Sequence, residues 1–337
     1  MLAPVRGLAF RLRQAGALVR LGRPLFLGGG FVLYGLGAAM AAYARVHGGG
    51  AGGGRGASAC IDWPRFAWGQ VAITATQLMT HYCNDYFDFD ADRANTTPTR
   101  WSGGSRVLPA GELPRGVALA AALLLALAAT AATVILLARF GAAPSASLLL
   151  AVAILLSWEY SAPPLRLHST GWGELDVALV VSFLTPLIGF SLQAAGVGVT
   201  AGSRSLVLPV LAVLPLCCLQ FAMLLAIEFP DAAGDAATGK RTLVVRLRAP
   251  RAAALYQGVV AAAYLSLPVL VAAGLPIVVA GAALLTSPIA AWQITRMRRG
   301  AFRDPARWES LAFWSVALLI TTSAAELIAF LLLLLRR

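Results

Sequence analysis

Of the 15 Asp and Glu residues in the 337-residue chain, seven fall in two short segments. The first is His81-Tyr82-Cys83-Asn84-Asp85-Tyr86-Phe87-Asp88-Phe89-Asp90-Ala91-Asp92. The second is Glu228-Phe229-Pro230-Asp231-Ala232-Ala233-Gly234-Asp235, followed by Gly239-Lys240-Arg241-Thr242. On a helix Asp85, Asp88 and Asp92 stand at i, i+3 and i+7 and share a face, and Asp231 and Asp235 share one at i and i+4. Carboxylates gathered where water is scarce repel one another and need cations to hold them. Oxygen ligation with no adjacent Cys or His pair favours hard Mg2+ over zinc or copper, and Mg2+ keeps positions open for phosphate oxygens. The spacing thus predicts two acid clamps, each holding Mg2+ and facing a diphosphate, with Lys240 and Arg241 complementing its charge. A lone D-x-x-D is ordinarily a solvated loop; two such clusters backed by apolar helices are not.

The elements that must carry these clamps are membrane helices. Hydrophobic residues make up 59% of the chain and charged residues only 12%, against roughly 25% charge in soluble domains. An ordinary soluble enzyme is excluded. Cys60, Cys83, Cys217 and Cys218 have no C-x-x-C spacing, and with three histidines they support neither a zinc ribbon nor a disulfide scaffold. Apolar runs long enough to cross about 30 Å of hydrocarbon predict nine spans, near 24-45, 66-89, 116-138, 144-160, 172-196, 205-229, 252-273, 275-295 and 309-335. Residues 1-23 form an N-terminal segment, and 24-335 a single transmembrane domain. Alternate connections on the N-terminal side hold 20 of the 27 Lys and Arg residues, so the positive-inside rule puts the N-terminus in the cytoplasm and the C-terminus outside. The net charge of +12 then reads as topology, and nucleic acid is not a partner. Both acid segments fall at cytoplasmic span ends. The Gly48-Gly56 stretch reads as an outer linker.

These motifs resemble the UbiA superfamily of intramembrane prenyltransferases. Asn84-Asp85-x-x-Asp88-x-x-x-Asp92 is similar to its first acidic motif, and Asp231-x-x-x-Asp235 followed by Gly-Lys-Arg-Thr to its second. Tyr160-Ser161-Ala162-Pro163-Pro164-Leu165-Arg166-Leu167, with Gly171-Trp172-Gly173-Glu174-Leu175, resembles the connection between its fourth and fifth helices. Arg23-Pro24 looks like its opening arginine-proline pair. The resemblance implies an all-α fold of nine helices around a central cavity with cytoplasmic capping loops. It also implies two Mg2+ ions bridging an isoprenyl diphosphate, and transfer of the chain to an acceptor that is usually aromatic. Many relatives carry a lysine where this chain has His168, which shifts phosphate contact towards Arg166.

On this reading the metal ligands are Asp85, Asp88, Asp92, Asp231 and Asp235, with Asp85, Asp88, Asp231 and Asp235 central to catalysis. Asn84 contacts metal or diphosphate. Arg23, Arg106, Arg166, Lys240 and Arg241 are candidates for diphosphate oxygens or, as the plainer alternative, cytoplasmic anchors. Tyr160 either contacts substrate or anchors a helix end at the interface. Asp90 points away from the shared face, and His81 reads as a packing residue. The loop Ser102-Gly103-Gly104-Ser105-Arg106 either turns N–H groups towards phosphate or is a plain turn. Glu174 and Asp176 open a span, where acids complement the helix dipole. Glu326, far along the last span, stands apart from the chemistry.

Asn-Asp-Tyr-Phe-Asp and Gly-Lys-Arg-Thr-Leu look most like the branch that prenylates 1,4-dihydroxy-2-naphthoate for menaquinone. Other branches use 4-hydroxybenzoate, homogentisate, haem, chlorophyllide or a glycerol phosphate lipid. The competing classes are a cation transporter and a non-catalytic lipid-binding protein; against transport, the acids cluster at one face with basic partners and form no ladder across the midplane. The expected setting is the cell inner membrane, with a polyprenyl diphosphate, an aromatic acceptor and the bilayer as partners.

Overall fold

The computed structural model describes residues 3–47, 60–194 and 206–335, which are mostly helical, with a twenty-residue connection over 95–114, and contain no strand. The Gly48-Gly56 linker lies outside the described residues. In chain order the helices are α1 (Ala3–Leu21), α2 (Leu27–His47), α3 (Trp63–Phe87), α4 (Phe89–Ala94), α5 (Arg115–Phe140), α6 (Pro144–Glu159) and α7 (Gly173–Gln193). They continue with α8 (Val207–Glu228), α9 (Ala232–Ala237), α10 (Leu243–Ala272), α11 (Ile277–Leu284), α12 (Ser287–Arg298) and α13 (Pro305–Leu335).

Each of the nine expected spans falls on a helix or helix pair. Six single helices are long and apolar enough to cross a membrane: α2, extended by its 3-10 entry at Pro24, and α5, α7, α8, α10 and α13. The α11–α12 pair, bent by 43°, makes a seventh if counted as one span. The other two expected spans differ for separate reasons. α3, at 25 residues, is long enough but too polar, carrying Gln70, Gln77, three threonines and the Asn84-Asp85 start of the first acid motif. α6 has only 16 residues, about 24 Å of helix rise.

Local chemistry sets several ends. The Asp62 side chain accepts the Arg65 N–H at 3.1 Å and starts α3. Gly141 closes α5 in the left-handed region that suits glycine. Thr242 caps α10 by accepting the Val245 N–H at 3.4 Å. The buried residues of α5 (Ala118, Ala122, Ala129, Ala132, Leu136) form one helical face, while Leu123, Leu124, Leu127 and Val134 are exposed. An apolar outer face of this kind is fitted to lipid. α1 adds to the core, with Ala17 and Leu21 buried beside Met79 and Tyr82, and the Tyr82 hydroxyl donates to the Leu18 carbonyl at 2.8 Å.

Helices are drawn together by small residues, as expected where lipid removes the hydrophobic drive between them. A Cβ on Gly37 of α2 would stand 2.0 Å from the Pro186 carbonyl oxygen of α7, and one on Gly189 would stand 2.4 Å from the Tyr34 carbonyl oxygen. Gly35, one residue off that contact, has only a Leu327 side-chain atom at 3.9 Å. Gly37→Ala is therefore expected to cost on the order of 1–3 kcal/mol through overpacking, seen as a lower unfolding temperature in detergent, with Gly35→Ala unchanged. Equal stability of the two variants would contradict the close α2–α7 crossing.

Candidate active site

The first acid motif straddles a helix break. α3 ends at Phe87, Asp88 adopts φ −92° and ψ 4°, and α4 begins at Phe89. Asp85 therefore belongs to one helix and Asp92 to the next. Asp231 is the N-cap residue of α9, and Asp235 lies within it. The short helices α4 and α9 pack against each other, so closely that a Cβ on Gly234 would lie 3.1 Å from the Asn95 Cα. Two segments about 145 residues apart in sequence thus meet directly.

Lys240 joins them. Its Nζ lies 2.9 Å from Asp88 Oδ2 and 3.1 Å from Asp235 Oδ1. Asp88 also faces His168 Nε2 at 2.6 Å and accepts from Asn84 Nδ2 at 2.9 Å; the other ring nitrogen of His168 meets the Tyr160 carbonyl at 2.6 Å. Asp85 is almost fully buried, and accepts from the Arg23 guanidinium and from both the backbone N–H and hydroxyl of Ser105. Asp231 accepts from Asn95 Nδ2 at 2.7 Å and from the Gly103 N–H at 3.1 Å. The Ser102–Arg106 loop thus turns N–H groups inward, but onto a carboxylate of each motif. Gly103 and Gly104 hold positive φ, at 73° and 71°, and a Cβ on Gly104 would stand 1.9 Å from Asp92 Oδ2.

Positive charge is unevenly shared. Burial pushes the Asp88 carboxyl up, but Lys240 and His168 outweigh it and hold it below the usual carboxylate range. Burial, with Asp88, Asp85 and Asp231 nearby, pushes Asp92 up to about 8 in spite of Arg23. Burial and Asp235 raise Asp231 to about 7; Asp235 is raised by burial, with Lys240 opposing. Burial acts against the charge on Lys240, yet Asp88 and Asp235 raise its pKa overall. Asp92 Oδ2 is buried without a hydrogen-bond partner. The donor set is all oxygen and short of positive charge, which fits a hard divalent cation. Among the described residues no three His, Cys, Asp or Glu side chains are gathered tightly enough to hold one ion; Lys240 stands between Asp88 and Asp235.

Above these groups lies a polar chamber of about 90 Å³, lined by Arg23, Asn84, Asp88, Asp92, Asp231, Asp235 and Lys240, with Tyr160, His168 and Glu228 among its other walls. An apolar chamber of about 400 Å³ adjoins it between α2, α3, α6, α7, α8 and α13. The two share Arg23, Asn84, Trp101, Tyr160, Leu224 and Ile227.

Several expected residues fall elsewhere. Asp85 lines neither chamber; it is held by Arg23, which lines both. Arg106 does not line them either, its guanidinium being spent on the Asp92 carbonyl. Arg166 and Arg241 are exposed and absent from both linings. His168, whose presence in place of a lysine shifts the expected phosphate contact towards Arg166, is itself buried and lines the polar chamber. Asp90 is exposed, and His81 lies in the apolar wall. Glu174 accepts the Leu243 N–H at 2.9 Å and ties α7 to the start of α10. Asn95, which anchors Asp231, lies outside every motif read from the sequence, and Ser105, in the Ser102–Arg106 loop, anchors Asp85. An Asn or Ser in a polar loop carries no periodic signal.

The fold and site define a polytopic helical membrane protein whose buried acid and base cluster closes one end of an apolar chamber. The sequence matches the model of the UbiA prenyltransferase family over residues 51–317, and the chain belongs to that family. No curated protein matches the sequence. Among solved structures, a UbiA homologue from Aeropyrum pernix K1 is 15% identical, with a TM-score of 0.63 over 88% of this chain and 97% of that one. A UbiA homologue from Archaeoglobus fulgidus, bound to GPP and Mg2+, is 14% identical, with a TM-score of 0.56 over 92% and 99%. A digeranylgeranylglyceryl phosphate synthase is 16% identical, with a TM-score of 0.55 over 95% and 98%. At these identities the likeness is one of fold.

Gly104→Ala provides a test of the site geometry. The added methyl group must displace the Asp92 carboxylate, and a shift of about 1 Å in such a site can cost on the order of 10²-fold in rate. Activity is expected to fall by that order while the protein elutes as a folded species. Gly111→Ala, at φ 69° with nothing within 4 Å, carries only the backbone strain. Comparable losses in both variants would contradict the packing of Gly104 on Asp92.

Proposed function

We propose that the protein transfers a polyprenyl group from its diphosphate to an aromatic acceptor in a Mg2+-dependent reaction. The observation that carries this reading is the convergence of both acid motifs on one polar chamber that opens into an apolar one. Asp88, Asp92, Asp231 and Asp235, with Asn84 beside them, would hold Mg2+. Bound there, the metal would supply Lewis-acid stabilisation of charge on a departing diphosphate. The solved Archaeoglobus fulgidus homologues, which are bound to Mg2+ with DMAPP or GPP, support Mg2+ and a prenyl diphosphate as the ligands.

The chain's own residues have separable tasks. Lys240 and Arg23 complement the diphosphate charge. Asp85 acts through Arg23, holding its guanidinium at the junction of the chambers. Tyr160, on the shared wall, presents a ring to the allylic carbon as positive charge develops there. The apolar chamber excludes water that would otherwise intercept that carbon as an alcohol. Its surrounding helices belong to one transmembrane domain over residues 24–335, with the N-terminus and both acid motifs on the cytoplasmic side of the cell inner membrane. The 20 to 7 distribution of basic residues supports this orientation.

The acceptor we infer is 1,4-dihydroxy-2-naphthoate, in menaquinone biosynthesis, on the resemblance of Asn84-Asp85-Tyr86-Phe87-Asp88 and Gly239-Lys240-Arg241-Thr242-Leu243 to that branch. Purified protein with Mg2+ and an all-trans polyprenyl diphosphate is expected to yield a prenylated naphthalene lacking the carboxylate, identified by mass spectrometry, and EDTA should abolish the product. Faster turnover of 4-hydroxybenzoate or homogentisate would overturn the acceptor assignment. No Mg2+-dependent transfer to any acceptor tested would overturn the transferase reading itself.

A further inference from the structure

Asp176 sits one turn inside α7, where sequence reasoning assigns an acid to the helix dipole. Its position fits a different task. The residue is 6% exposed, and its Oδ1 is buried with no hydrogen-bond partner. Among the described residues it is in no ion pair. It lines the apolar chamber and not the polar one. A carboxyl group left unpaired in apolar surroundings costs several kcal/mol, and an unsatisfied group of this kind in a native interior calls for an explanation.

The backbone beside it is also unusual. Directly after Asp176 and Val177, residues Ala178–Leu184 form a π-helix, a wide turn found frequently at functional sites. Val177, Val180 and Val181 line the apolar chamber beside Asp176. A chamber of about 400 Å³ lies within the usual range for small-molecule sites, which are mostly apolar with a few placed polar groups. A diphosphate is excluded as the partner of Asp176 by like charge. The complement of a free carboxyl oxygen is an O–H or N–H donor, and the complement of the valine wall is a flat apolar body.

We propose that Asp176 is an acceptor-binding residue, whose free carboxyl oxygen takes a hydrogen bond from a ring hydroxyl of the acceptor. The chamber then admits hydroxylated aromatic rings and discriminates against ethers of the same shape. This rests on the prenyl-transfer reading for the meaning of acceptor, while the binding itself can be measured without turnover.

The probes are 1-naphthol and 1-methoxynaphthalene, with binding to the detergent-purified full chain measured by equilibrium dialysis against protein-free micelles. Wild type is expected to hold the naphthol at least tenfold more tightly than the ether, because a site built for a hydroxyl penalises an analogue lacking one. Asp176→Leu, branched like Asp but without an acceptor oxygen, should bring that ratio near one. Asp176→Asn, which keeps an acceptor oxygen and guards against a folding failure, should keep part of it. Mg2+-dependent retention of a prenyl diphosphate by the same preparations reports separately on the polar chamber. A ratio near one in wild type, or an unchanged ratio in Asp176→Leu, would overturn the assignment of Asp176. Absent diphosphate retention in wild type would instead overturn the prenyl-transfer reading.

Discussion

The structure depends on keeping several carboxylates together where water is scarce. Asp85, Asp88, Asp92, Asp231 and Asp235 converge at the ends of α3 and α8, and all but the partly buried Asp231 are buried. Like charges so placed repel strongly, so each must meet a cation, share a proton or accept several hydrogen bonds. Lys240 meets the need from one side by touching Asp88 of the first motif and Asp235 of the second. Arg23, from the entry to α2, meets it from the other by binding Asp85. Among the described residues no cation contacts the carboxylate of Asp92 or Asp231, both of which face the polar chamber. The charge deficit is thereby concentrated where a metal and a diphosphate would enter.

The rest of the fold makes that concentration possible. The glycine contacts at Gly37 and Gly189 bring the backbones of α2 and α7 close together, and both helices contribute residues to the apolar chamber. The loop after α4 spends its N–H groups on Asp85 and Asp231, fixing both motifs to one another. Glu174 binds the first N–H of α10 and sets the helix that follows Lys240. Polar loop, acid pair and apolar chamber are therefore mechanically one unit, although the chain contributes them from distant segments.

Much of this was legible in the sequence because it is periodic or compositional. The nine apolar segments fall on helices, and the acids predicted to converge do so. The limits are equally physical. Helical spacing predicts a shared face only while the helix continues, and the break at Asp88 separates Asp85 from Asp92. The segments at 66-89 and 144-160 both read as spans, yet α3 is too polar and α6 too short to qualify by length and composition. Arginine at a cytoplasmic boundary looks the same whether it binds phosphate or faces solvent, and Arg166 and Arg241, open to both readings in the sequence, are exposed and line neither chamber. His168, Asn95 and Ser105 act through tertiary contacts that no spacing announces.

The central claim is that the two acid motifs act as one Mg2+ and diphosphate site. It is tested most directly by transfer rates for Asp92→Asn, Asp231→Asn and the double variant, measured on folded protein across a Mg2+ titration. Each single change removes one charge from a different motif and should cost on the order of 10²-fold or more, as loss of a charge-stabilising group in a preorganised site does. The double variant should lose far less than the product of the singles, because groups acting as a unit are non-additive. Near-wild-type activity in either single variant, or fully multiplicative losses, would contradict a shared site.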